Sequence, residues 1–151
     1  NLKPHASFRL LQVAQALGLY FPHEAGGRLQ VLAAASPDDP AVAYALAASL
    51  FDASKQLATV DPTLRGQFLQ EALKQSHHAA KVSLAAVRDP THPHDPHGLL
   101  WRPWLIAAKC AAALNDTDGA RDACKKALAA GASRDDLGFI AVQWPLVEAT
   151  R

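Results

Sequence analysis

Two Asp-Pro steps, Asp39-Pro40 and Asp61-Pro62, constrain this chain of 151 residues more than any other feature. An Asp placed just before a helix accepts from the unpaired N–H groups of the first turn. Proline suits the first helical position, because the donor it lacks has no partner there. Each step opens a run rich in helix formers with apolar residues at helical spacing. The pair therefore predicts one helix over 40–58 and an unusually long one over 62–87.

The remaining breaks divide the chain into further helices. Ser7 suits an N-cap for a first helix over 7–20, with Leu10, Val13, Ala14 and Leu17 on one face and Phe21-Pro22 as its stop. A second helix is expected over 24–35, firmest from Arg28, because Gly26-Gly27 makes poor first turns. Residues 89–98 hold three prolines and cannot be regular structure. A fifth helix is expected from Leu99 or Pro103 to Leu114, and a sixth over 119–130, closed by Gly131 as the residue after its end. Ser133 with Asp136 forms a near capping box for a seventh over 134–142, which Trp144-Pro145 interrupts. Ala makes up about a fifth of the chain, well above an ordinary globular share, and no segment alternates over a strand's length. The fold class is all-α.

The charge balance, 15 Lys+Arg against 14 Asp+Glu, gives no footprint for nucleic acid, and no apolar run is long enough to span a membrane. Two cysteines do not make a disulfide framework. They favour a cytoplasmic or organelle-lumen setting over a secreted one. With no Met and Asn1 first, the chain is expected to be processed, trimmed or part of something longer.

Patterns for catalysis are absent. Gly26-Gly27 lacks the residues of a phosphate loop, and neither a G-x-S-x-G elbow nor an H-E-x-x-H helix occurs. No enzyme, cofactor or small-molecule substrate is expected. His92, His94 and His97 supply metal-ligand types, with His77-His78 on the preceding helix. Proline holds the loop extended, so the plainer reading is a solvated polar loop. Cys110 and Cys124 each lie seven residues from Thr117, so the helix pair brings them to similar height. They are read either as facing partners or, more simply, as small buried apolar residues.

Helix pairs with short turns invite a search for repeats. Trp104, Ala107, Ala108 and Ala111 lie on one helix, and Ala120, Cys124 and Ala127 on the next. This spacing resembles the tetratricopeptide repeat, with departures at Ala111 and Cys124, where that family usually has aromatics. Ala25, Leu29, Leu32 and Pro37 fit the second half of an earlier repeat, and Leu46-Ala47 with Leu50 fit the first half of another. The resemblance covers 6–39, 40–87 and 99–134, with the His/Pro loop at 89–98 and a cap over 134–151. It implies antiparallel hairpins stacked as a short right-handed solenoid of about three repeats. The middle repeat exceeds the family's length, and a non-repeating helical bundle is the plainer alternative.

The resemblance also implies a function. Tetratricopeptide arrays bind a partner protein's peptide or helix in a concave groove lined by the first helix of each repeat. Carried over, those positions are Ser7, Leu10, Ala14 and Leu17; then Ala41, Tyr44, Ala48 and Phe51; then Arg102, Leu105, Lys109 and Ala112. Leu10, Leu17, Tyr44, Phe51 and Leu105 would give apolar contact, and Arg102 and Lys109 would pair with an acidic group. Trp101 joins this set because interfaces favour Trp beside Arg. So few charges at these positions imply a mostly apolar partner segment. The expected role is a scaffold or adaptor, with a permanent subunit of a larger complex, or metal handling by the His loop, as alternatives.

Overall fold

A computed structural model describes residues 5–19, 28–87, 95 and 97–138. Among them it contains six α-helices and no strand: α1 (His5–Ala16), α2 (Arg28–Ala35), α3 (Pro40–Gln56), α4 (Pro62–Ala85), α5 (Arg102–Ala113) and α6 (Thr117–Ala129). A 3₁₀ turn, Asp135–Leu137, follows. No described helix is long and apolar enough to cross a membrane.

The punctuation works through specific hydrogen bonds. The Asp39 carboxylate accepts from the Val42 N–H at 3.1 Å, Asp61 from Leu64 at 3.0 Å, and Asp116 from Gly119 at 2.9 Å. Helix α5 has no side-chain cap of its own. Instead Asp95 accepts from Leu99 and Leu100, folding the turn that leads into it. Gly131, at φ +120°, closes α6 as expected, with the Ala132 N–H donating back to Ala127. The same device at Gly18, φ +73°, ends α1 at Ala16, four residues before the expected Tyr20. There the left-handed turn overrides the apolar spacing that runs on through Leu17. Ser133 and Asp136 form a reciprocal capping box, and among the described residues it opens the short 3₁₀ turn. Residues 139–151 of the expected cap, the 20–27 junction and most of the His/Pro loop lie outside the described residues.

Short turns fold α4 back along α3 and α6 back along α5, and these two pairs, then α4 with α5, make the most extensive contacts. The buried residues form two clusters. The larger joins α1 to α4 around Leu11, Leu50, Leu57, Phe68 and Leu69, with Ile106 and Cys110 reaching in from α5. The smaller lies between α5 and α6 and is built from alanines with Cys124 and Leu137. Side chains this small let two backbones approach closely. Leu73 of α4 packs against both clusters.

Ser7 is not a cap. It sits inside α1, fully buried, and its hydroxyl donates to Glu71 Oε1 at 2.8 Å. Gln75 donates to the same oxygen at 3.3 Å. A buried carboxyl therefore ties α1 to α4, with neutral donors from both helices on one oxygen. Ala14 and Ala48 are buried as well, so these three positions of the implied groove belong to the core.

Candidate functional site

The cleft between the C-terminal halves of α3 and α5 brings together residues that the implied register names. It measures about 710 Å³, a size typical of ligand-binding clefts. Phe51 lies in one wall, Lys109 and Ala112 in the other, and Leu69 of α4 lines it as well. Phe51 and Lys109 reach the cleft because each sits on the edge of its helix's buried stripe, half-covered, with the aromatic ring packed on the larger core cluster.

The cleft is cationic. Lys55 Nζ stands 5.2 Å from the centre of the Phe51 ring and Lys109 Nζ stands 5.8 Å from it. Both are within range of attraction to an aromatic face. Arg65, at the start of α4, adds a third positive group. Asp52 offsets part of this charge through a 3.2 Å ion pair with Lys55. Burial, then the nearby Lys55 ammonium, lowers the pKa of Lys109 from its ordinary value, with Asp52 and Cys110 opposing. A group held this way gains from any further carboxylate brought beside it.

Lys55 and Arg65 fall outside the implied groove positions, and they make the cleft more basic than those positions alone suggest. One signal was available for Lys55: it follows Phe51 by four residues and so shares its helix face. Arg65 comes from the second helix of its hairpin, which a register confined to first helices never inspects.

The other nominated residues do not line this cleft. Tyr44 and Leu10 are half-buried against the larger cluster, and Leu105 against the smaller. Leu17 is exposed just past α1. Trp101 is half-buried beside Gly131 and packs on the smaller cluster, with the Arg102 guanidinium 5.4 Å from its ring. That pair occupies the opposite end of α5 from Lys109.

His77, His78 and the two cysteines pack against or bond to neighbouring elements. His78 Nε2 lies 2.9 Å from the Pro37 carbonyl and 3.6 Å from Asp38, fastening α4 to the α2–α3 junction. His77 packs its ring against Trp104, centroids 5.4 Å apart. His92 and His94 lie outside the described residues, and His97 is exposed. No group of three or more His, Cys, Asp or Glu among the described residues is placed to hold a metal ion. Cys110 and Cys124 are unpaired, buried thiols. Cys110 faces the larger cluster and Cys124 the smaller, so equal height in the hairpin does not make them face each other. No protein-family model, curated protein or solved structure matches the chain.

Proposed function

We propose that this chain is a protein-interaction module, a short tetratricopeptide-like array whose α3–α5 cleft takes a peptide or helix of a partner protein. The observation that carries the reading is the convergence of Lys55 and Lys109 on the Phe51 ring, with Arg65 beside them. Such a site suits an apolar side chain lying on Phe51, opposite Ala112, next to a carboxylate held by the cations. The role is that of a scaffold or adaptor and needs neither catalysis nor a cofactor. The test is capture of partners from native lysate by the intact chain and by Phe51→Ala, with helical content followed by circular dichroism. One or a few stoichiometric proteins should be recovered and then lost with Phe51→Ala while the helices persist. Equal recovery by both chains would contradict the reading.

A second reading, a permanent subunit of a larger complex, draws on one observation. Val13 and Leu17, on and just past α1, and Val31 and Leu32 of α2 are all exposed. Buried against a partner, these side chains would contribute to a contact face. Salt-resistant association at that face, undisturbed by Phe51→Ala, would favour this reading instead.

A further inference from the structure

Helix α4 is about 36 Å long at 1.5 Å per residue, about twice the length of α5. Its last turns present His77, Ala80, Lys81 and Leu84 at the spacing of a single helix face, and Val87 follows just past the helix end. The facing wall is Leu100 and Trp104 with Lys126, Ala129 and Ala130 at the end of α6. The two walls enclose a trough of about 570 Å³, and no residue lines both this trough and the α3–α5 cleft. Leu84, in its middle, is 67% exposed.

Three properties fix what the trough suits. From His77 to Leu84 the stripe runs about 11 Å, two turns of a docked helix. Ala80, Ala129 and Ala130 keep the walls low, so a second backbone can come close. The lining holds two lysines and no carboxylate: Lys126 Nζ lies 4.7 Å from the centre of the Trp104 ring, and Lys81 is exposed. Asp122, outside the lining, pairs with Lys126 at 3.1 Å and offsets part of this charge, leaving Lys81 as the main cation of the rim.

We propose that this trough is a second docking site, and that its occupant is a short amphipathic helix of a partner protein carrying acidic residues beside its apolar stripe. Leu84, Val87 and Trp104 take the apolar stripe, and Lys81 and Lys126 take the acidic flank. The site is independent of the cleft at Phe51.

The test uses the intact chain and two synthetic helical peptides of about 15 residues. One carries Leu at i, i+3, i+4 and i+7 with Glu on both flanks, and its twin has Lys for every Glu. Binding is read by calorimetry. The Glu peptide should bind at least about fivefold more tightly than its twin, and Lys81→Glu should abolish that preference. Leu84→Glu, at an exposed position that leaves the fold intact, should weaken the Glu peptide about tenfold. Phe51→Ala should change nothing, which separates this site from the cleft. The proposal is overturned by equal binding of the twins, by binding of neither, or by loss through Phe51→Ala. It is also overturned if the chain self-associates and Leu84→Glu abolishes that, because the trough then belongs to a second copy.

Discussion

Burial pushes the Cys110 thiol up to about 12 and raises Cys124 in the same direction. Only the thiolate reacts readily, so both cysteines should resist a thiol reagent in the native protein and label at once in denaturant. Labelling of either before unfolding would place it outside the core. Ser7 and Glu71 give a second test at this scale. Ser7→Ala removes a donor to a buried carboxyl and should cost about 1–3 kcal/mol of unfolding free energy, read from denaturant midpoints. His77 gives a pH dependence. Desolvation, then the Lys126 ammonium, lowers its pKa below 6.5, with Asp122 opposing. The unfolded chain then binds the proton more readily than the folded one. The His77 contribution is fully present above the unfolded value and is lost as pH falls through the folded one. His77→Gln should flatten the melting temperature's decline over that acidic window, and an unchanged decline would assign it to other groups.

The elements differ in how much of them can be read from sequence. Helices α3 and α4 are specified locally, because Asp39, Pro40, Asp61 and Pro62 act within one turn of their own positions. Asp39→Ala or Asp61→Ala should each destabilise the protein by about 1 kcal/mol. The start of α1 was misplaced for the opposite reason: Ser7 looks like a cap in sequence, and only its partner 64 positions away, Glu71, shows it to be core. Packing of α5 on α6 depends on small residues at Ala107, Ala111, Ala120 and Ala127, all buried. Ala120→Leu should overpack that interface and cost about 1–3 kcal/mol, whereas Ala129→Leu, at an exposed position, should be nearly neutral. The two cysteines show the limit of spacing arguments. Sequence spacing gave their height along the hairpin, but the direction each faces depends on the position of α4.

At the scale of the whole molecule, α4 organises both proposed surfaces. Its N-terminal half supplies Arg65 and Leu69 to the cleft, and its C-terminal half supplies one wall of the trough. The all-helical class was legible from composition and breaks. Of the nominated contact residues, Phe51 and Lys109 meet in the cleft, while Lys55 lies one turn beyond Phe51 and Arg65 on the second helix of the hairpin, both outside the first-helix positions. Charges at a surface cleft are screened by salt, with a Debye length of about 8 Å at physiological ionic strength. The central claim is that Lys55 and Lys109 over Phe51 hold an acidic partner segment. Its most direct test is quantitative capture of the recovered partner by wild type and by Lys109→Glu, across rising salt, with circular dichroism as the folding control. The account predicts a salt-sensitive complex that Lys109→Glu abolishes without loss of helix. A complex insensitive to salt and retained by Lys109→Glu would contradict it.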